Sequence, residues 1–131
     1  MRLAVFAVLL LAVTLPAADK KRKAPKPPDI EVLECTAQRA SGKVSVDGRV
    51  RNTSVKVIRG LILVFDFMAD GRAVITTQKG AVDEEALQPG QEAPFRMELV
   101  DPVRAVEVQV NAVDEQARDL RVAKAGPFPI E

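Results

Sequence analysis

The stretch VSVDGRVRN, residues 44–52, decides the fold, because its Asp47-Gly48 pair fits either a hairpin turn or one continuous strand. As a two-residue turn, the pair would place both preceding valines opposite arginines. As one strand, the valines and Gly48 line one face and the polar residues line the other. The second register suits every side chain, so we predict a single strand with a buried valine face. Gly48 then indicates a bulge or the close approach of a neighbouring strand.

A second Asp-Gly pair, Asp70-Gly71, gives the opposite result. As a two-residue turn within FDFMADGRAV, it places Phe67 opposite Val74 and Met68 opposite Ala73. Apolar residues then face apolar residues, which predicts a tight hairpin turn. The repeated Asp-Gly-Arg triplet therefore has two different structural roles and indicates no shared binding site.

The remaining alternation predicts an all-β domain over residues 30–131. Leu33, Cys35 and Ala37 share one face, and period-two patterns recur over 95–99 and 106–112. The most apolar run, 61–68, predicts a central strand, and a last short strand is expected around 120–123. A polar turn is expected over 113–119, and one helical turn could form over 83–88. We predict an antiparallel, immunoglobulin-like β-sandwich of about seven strands.

Residues 1–18 have the layout of a secretory signal peptide. Arg2 precedes an apolar run over 3–15, and Pro16 is followed by the small pair Ala17 and Ala18. The run is short for a span, which needs roughly 20 residues. We expect cleavage after Ala17 or Ala18 and export to the periplasm or the medium. The alternative is an uncleaved anchor through residues 3–18, which the basic residues just after the run favour.

Residues 19–29, DKKRKAPKPPD, form a basic, proline-rich linker. Five basic and two acidic residues give it a net charge of +3. Like charges and prolines predict a disordered, extended spacer. The alternative role is weak attraction to an anionic membrane or envelope surface. Residues 30–131 hold 13 basic and 16 acidic residues, so the basic residues are not a patch on the fold, and we expect no nucleic acid partner.

The composition excludes most catalytic chemistry. The chain of 131 residues has no His, no Trp, no Tyr and one Cys. Without His there is no Ser-His-Asp triad, no Cys-His pair and no ordinary zinc site. We therefore predict no catalytic residues, no metal ligands and no cofactor. A hydrolase or metal-dependent enzyme that relies on carboxylates and lysines is the remote alternative.

Several polar groups have both a structural and a functional interpretation. We expect Cys35 to be a buried thiol, the alternative being a reactive thiol or an intermolecular disulfide. Asp83, Glu84 and Glu85 fit a solvated turn or, alternatively, a calcium site. Asp66 and Asp70 would be the carboxylate pair of any acid–base chemistry.

Two further groups lie at the end of the strand quoted first. Asn52-Thr53-Ser54 fits a glycosylation acceptor, but we expect its side chains to hold a turn through hydrogen bonds to the backbone. Arg49 and Arg51 could anchor a carboxylate of a partner. The preferred interpretation is cross-strand pairing with an acid such as Glu34.

Three stretches carry a resemblance to a known family. VSVDGRVRNTS has a central Gly followed by Asn-x-Ser, LILVFDFMADG is a strand that runs into an acidic-Gly turn, and LQPGQEAPFRMEL is a Pro-Gly turn before a Pro-Phe strand start. In these features residues 30–124 resemble FxLYD-type domains. At the naming motif Phe65 is kept, whereas Phe67, Met68 and Ala69 depart from it. The resemblance implies an immunoglobulin-like domain in an exported or membrane-tethered bacterial protein, and it implies no catalytic residues.

Together these features predict a non-catalytic, exported protein of the cell envelope. We expect a protein-interaction or structural role, with an unknown protein partner bound through a sheet edge or through end loops. The alternative is an envelope protein held at a surface by its basic linker or by an N-terminal anchor.

Overall fold

The computed structural model describes residues 27–131, which form a β-sandwich. The signal peptide at 1–18 and linker residues 19–26 lie outside the described residues, so the expectations placed there stay predictions. Within the described part, no helix is long and apolar enough to cross a membrane. Ten strands follow one another along this part: β1 (Ile30–Ala40), β2 (Lys43–Asn52), β3 (Ile58–Arg59), β4 (Ile62–Met68), β5 (Val74–Ala81), β6 (Ala86–Leu87), β7 (Glu92–Val100), β8 (Glu107–Val113), β9 (Val122–Ala123) and β10 (Phe128–Pro129).

Two four-stranded sheets make the two layers of the sandwich. The first has the order β7-β2-β1-β9 and the second the order β10-β8-β4-β5, while β3 and β6 form a separate two-stranded ladder. The pairing is antiparallel, except that two residues of β9 run parallel to β1 and that Ala37 and Ile130 form an isolated parallel bridge. The predicted immunoglobulin-like sandwich is therefore confirmed, and β4 has the predicted interior position.

The core lies between the layers and is built from the inward faces of the long strands. Val44, Val46 and Val50 of β2 are fully buried, as are Leu63 and Phe67 of β4. Phe65 of β4 and Phe95 of β7 join the layers, with ring centroids 5.7 Å apart and ring planes tilted by 45°. Such burial of apolar area is the main term that stabilises the fold.

The strand prediction for residues 44–52 is confirmed, and so is the close approach at Gly48. This residue pairs with Cys35 of β1 on one side and Phe95 of β7 on the other. A Cβ atom at Gly48 would lie 2.1 Å from the carbonyl oxygen of Glu34 and 2.5 Å from Cζ of Phe95. Only glycine fits between these two neighbours.

Strand β1 corrects the predicted face assignment. Val32 pairs with Val50 and Glu34 with Arg49, so Leu33 is an extra residue and β1 has a bulge there. The bulge exchanges the faces: Ile30 and Val32 are buried before it and Ala37 after it. Leu33 therefore does not share a regular face with Cys35 and Ala37.

The hairpin prediction for Asp70-Gly71 is confirmed, but the two-residue turn is wrong. Met68 pairs with Val74, and the loop spans the residues between them. Its hydrogen bonds run from the amide of Ala69 to the carbonyl of Ala73 (2.8 Å) and from the amide of Arg72 to the carbonyl of Ala69 (3.0 Å). Gly71 and Arg72 both have positive φ, 75° and 67°. The longer loop also leaves a bulge at the start of β5.

Two further expectations need correction. Residues 83–88 form no helical turn, because Ala86–Leu87 pairs as β6 with β3. The predicted strand at 120–123 is reduced to Val122–Ala123, and it is followed by β10, which the sequence pattern does not indicate.

Candidate functional site

An open cleft lies at the end of the sandwich where β1 begins and β2 ends. Three segments line it: residues 27–29, the loop 53–59 and the loop 114–120. Its volume is about 650 Å³, within the roughly 300–1,000 Å³ typical of ligand sites. We call this feature the end cleft.

Asn52 fixes the loop 53–59. Its buried side chain donates to the carbonyl oxygens of Lys56 and Leu87, each at 2.8 Å. Its Oδ1 accepts from the amide of Ser54 at 2.9 Å and from the hydroxyl of Ser54 at 2.7 Å. The predicted turn-holding role is thus confirmed. The glycosylation alternative is wrong for this structure, because the amide nitrogen is fully buried and both its protons are used.

Asp114 fixes the opposite loop. One carboxylate oxygen accepts from the amides of Gln116 (2.9 Å) and Arg118 (3.0 Å), and the other accepts from Nε of Arg118 (2.9 Å). The hydrogen bond from the Arg118 amide is the largest cause that lowers the pKa of the Asp114 carboxyl, so this loop stays anchored at neutral pH. The two loops meet where the amide of Glu115 donates to the carbonyl of Arg59 at 3.0 Å.

The segment 27–29 is tied to the loop 53–59 and to Arg121, which directly follows the loop 114–120. Thr53 donates its hydroxyl to the carbonyl of Pro28 (3.1 Å) and its amide to the carbonyl of Asp29 (3.0 Å). The side chain of Asp29 accepts from the amide of Arg121 at 2.8 Å. The cleft is therefore held by hydrogen bonds on every side, which is the preorganisation that a binding site needs.

The lining of the end cleft combines apolar side chains with charges of both signs. Val55 is 90% exposed and Val57 39% exposed, and apolar lining also comes from Pro27, Pro28, Ile58 and Leu120. Lys56 and Arg59 lie on one wall, and the other wall carries charges of both signs: Asp114, Glu115, Arg118 and Asp119. This arrangement can hold an apolar side chain and, beside it, polar groups of either charge. The sequence signal was present in NTSVKVIRG, where two valines stand in a polar connection.

The carboxylates considered from the sequence do not form one constellation. Asp83, Glu84 and Glu85 are exposed, and Glu84 accepts a hydrogen bond from Gln91 at 3.3 Å. Within residues 27–131, no group of three or more His, Cys, Asp and Glu side chains has the arrangement of a metal site.

Asp66 belongs to a network on the outer face of the second sheet. It accepts from the hydroxyl of Thr77 at 2.8 Å and from the amide of Asn111 at 2.9 Å. Asp70 lies in the β4–β5 turn with an exposed side chain. Each carboxylate thus has its own surroundings: a cross-strand network for Asp66 and solvent for Asp70.

Arg49 forms the predicted cross-strand pairs. It binds Glu92 of β7 at 2.7 Å and Glu34 of β1 at 3.3 Å, so it joins the strands on both sides of β2. Arg51 is exposed. The preferred interpretation of Arg49 as an intramolecular partner is confirmed.

Cys35 is half-buried against the core, and burial raises the pKa of its thiol to about 12, with a smaller contribution from Asp47. The thiolate is the nucleophilic form, so the fold holds this thiol in its unreactive state at neutral pH.

Comparisons with known proteins support the fold. No family model matches the chain, and no curated protein matches it. Solved structures are similar to it at low identity. A β-glucuronidase from glycoside hydrolase family 2 aligns with a TM-score of 0.51 and 13% identity over 78% of this chain and 13% of that chain. IrmA from Escherichia coli aligns with a TM-score of 0.50 and 11% identity over 78% of this chain and 95% of that chain.

These matches define the class of protein as a β-sandwich and go no further. The chain spans only a small part of the β-glucuronidase and nearly the length of IrmA. At such identities the likeness shows the fold alone, because one sandwich architecture carries many unrelated functions.

Proposed function

We propose that this chain is a non-catalytic, exported module of the cell envelope that binds an extended segment of a partner protein in the end cleft. The observation that carries the proposal is the exposed apolar lining, above all Val55 at 90% exposure beside an open cleft. An apolar side chain that water surrounds gains stability when a partner covers it.

The walls of the end cleft support a peptide as the ligand. A peptide offers apolar side chains together with backbone donors and acceptors and charges of both signs. The valines match the apolar side chains of a peptide, and the basic and acidic side chains of the lining match its polar and charged groups. The resemblance to FxLYD-type domains and the apolar run at 3–15 support the envelope setting.

The side-chain chemistry supports a binding role over an enzymatic one. The chain has no His, and several carboxylates near the strands are engaged in ion pairs or structural hydrogen bonds. Asp114 holds a loop, Asp66 a cross-strand network, and Glu92 and Glu34 share Arg49.

A displayed peptide library tests the binding role directly. We expect the purified protein to enrich a set of extended peptides with a common apolar position, and Val55→Asp to abolish that enrichment. Val103→Asp is the matched control, because Val103 is 80% exposed and lies in the loop after β7 at the other end of the sandwich. Enrichment equal on Val55→Asp and on the unchanged protein would refute the end cleft as the site.

Cell fractionation with intact-mass measurement tests the envelope setting. Export with cleavage predicts a species in the periplasm or medium that begins at Ala18 or Asp19. A full-length species in the membrane fraction would support the N-terminal anchor and contradict cleavage. A full-length soluble species in the cytoplasm would contradict export.

A further inference from the structure

Strand β5 presents an open edge that is independent of the end cleft. Within residues 27–131 it is the last strand of the order β10-β8-β4-β5 and pairs only with β4. Alternate backbone N–H and C=O groups on its other side therefore have no strand partner, and such a row is a template for another strand. Val74 and Ile75 at its start are 55% and 39% exposed.

The opposite side of the sandwich is closed by the C-terminal segment. β9 covers the edge of the first sheet and β10 that of the second. The amide of Glu131 also donates to the carbonyl of Ala37 in β1, and the amide of Ile130 donates to the carbonyl of Val106, both at 2.9 Å. The fold thus covers one pair of edges with its own chain, and no strand of the part that the structure describes pairs with the outer side of β5 or β7.

The two open edges differ in the residues that discourage pairing. β7 carries Pro94, which lacks an N–H, and the charged residues Glu92, Arg96 and Glu98. Prolines and charges are the devices that protect an edge from association. β5 has the sequence VITTQKGA, with four β-branched residues in a row and one charge at Lys79. Its bulge lies at Ile75, so the edge is regular from Thr76 to Ala81. β-branched residues favour strands, so β5 is the edge suited to pairing.

We propose that two copies of this chain associate through β5, antiparallel and with Thr77 on the two-fold axis, so that their second sheets become one continuous sheet. In this register Thr77 lies opposite Thr77 and Thr76 opposite Gln78 of the other copy, in the regular part of β5 that follows its bulge. Cross-strand threonine pairs are favourable.

The charge distribution supports a second copy as the occupant and is compatible with this register. The strand has a single charge, away from its centre. With Thr77 on the axis, the two Lys79 Cα atoms lie about 13 Å apart along the strands, beyond the screening length of about 8 Å at physiological ionic strength. Moving the axis to Gln78 would halve that separation. The edge is therefore self-complementary, as a two-fold interface requires.

Thr77→Lys tests the association. The substitution places two lysines directly opposite each other in the dimer, whereas in the monomer the side chain is exposed and close to Asp66. We expect the purified protein to show a concentration-dependent monomer–dimer equilibrium in sedimentation, and Thr77→Lys to stay monomeric at every concentration. Thr36→Lys is the matched control, since Thr36 is an exposed threonine of the first sheet and should leave the dimer unchanged.

A disulfide test fixes the register. In a Cys35→Ala background, Thr77→Cys should cross-link two copies on mild oxidation, because directly opposed residues lie about 4.5–5.5 Å apart, within disulfide range. Lys79→Cys in the same background should not cross-link. A protein that sediments as a monomer throughout would overturn the proposal, as would a dimer that Thr77→Lys leaves intact or a dimer that cross-links through position 79 and not 77. None of these outcomes bears on peptide binding in the end cleft.

Discussion

Asn52 is the buried polar residue on which the end of the sandwich depends. Its side chain is fully buried and makes four hydrogen bonds that join β2, the loop 53–59 and the residue Leu87. In any other loop conformation the partners of Asn52 would lose these hydrogen bonds, and inside the protein water could not replace them. The buried amide therefore specifies one conformation of the loop.

We expect Asn52→Ala to lower the free energy of unfolding by roughly 2–4 kcal/mol, because it removes four hydrogen bonds, one of them the buried bond to the carbonyl of Leu87. Urea unfolding measures the change. Asn111→Ala is the control: Asn111 is half-buried and donates one side-chain hydrogen bond, to Asp66, so its loss should cost about 1 kcal/mol. Equal effects at the two positions would contradict the structural role of Asn52.

Gly48 and Gly80 differ in the space that their neighbours leave for a Cβ atom. An alanine Cβ at Gly48 would meet the carbonyl oxygen of Glu34 at 2.1 Å, whereas at Gly80 its nearest neighbour is Phe65 at 3.6 Å. We expect Gly48→Ala to reduce the free energy of unfolding by about 3 kcal/mol or more, since backbone must move. Gly80→Ala should be neutral or stabilising by up to about 1 kcal/mol. Thermal or urea unfolding of both variants decides the matter, and a tolerated Gly48→Ala would refute the close approach.

The raised pKa of Cys35 predicts how the free energy of unfolding depends on pH. Its pKa is raised from 9.0 to about 12, so the folded protein keeps the thiol protonated where the unfolded chain has begun to ionise. The contribution of the protonated thiol to the free energy of unfolding is fully present below pH 9.0. It is lost as the pH rises toward about 12, because the unfolded chain ionises first.

Alkylation by iodoacetamide at about pH 8 measures the same property, since the thiolate fraction sets the rate. We expect slow labelling of the folded protein and fast labelling in urea. Thr36→Cys in a Cys35→Ala background places a thiol at an exposed neighbouring position and should label fast in the folded state. Labelling of Cys35 at the rate of this control would establish a reactive thiol instead.

At the scale of elements, a single substitution in the β1–β2 turn should raise the free energy of unfolding. Ala40 pairs with Lys43, so Ser41 and Gly42 form a two-residue loop, and their φ angles are 55° and 76°. Positive φ at both positions is the geometry that Asn-Gly satisfies best. Ser41→Asn should raise the free energy of unfolding by about 0.5 kcal/mol, and Ser41→Val should lower it by about 1 kcal/mol. The midpoint of urea unfolding gives both values, and a stabilising valine would be incompatible with this turn.

The strands could be predicted where one periodicity holds throughout. In β2 the alternation of valines with polar residues continues through Asp47-Gly48, and the apolar run of β4 indicates its interior position. Such patterns report burial directly, because the two faces of a strand alternate residue by residue.

Other features depend on contacts that the local sequence does not contain. The bulge at Leu33 is defined by the pairing of its neighbours with β2, and an extra residue leaves no mark on composition. The end cleft depends on two loops that are distant in sequence and meet through Glu115 and Arg59. Only the two exposed valines of the first loop could have indicated it from the sequence.

At the scale of the whole molecule, the C-terminal segment belongs to both layers. Val122 and Ala123 pair with β1 in the first sheet, and Phe128 and Pro129 pair with β8 in the second. The sequence AGPFPIE shows no alternation, and its prolines argue against a strand within a sheet interior. At an edge, however, a proline is tolerated, which is why this element forms although the sequence pattern did not predict it.

Removal of residues 127–131 should therefore open the closed side of the sandwich. The deletion removes β10, the partly buried side chains of Phe128 and Ile130 and the hydrogen bonds of Ile130 and Glu131 to the two layers. We expect a loss of about 3–5 kcal/mol in the free energy of unfolding, from lost apolar burial and lost hydrogen bonds. A full-length variant with alanine at both 128 and 130 keeps the backbone pairing and should lose only the apolar part, about 2–3 kcal/mol. Urea unfolding of both proteins separates the two contributions, and a deletion that is no less stable than the alanine variant would mean that the backbone pairing does not hold the layers together.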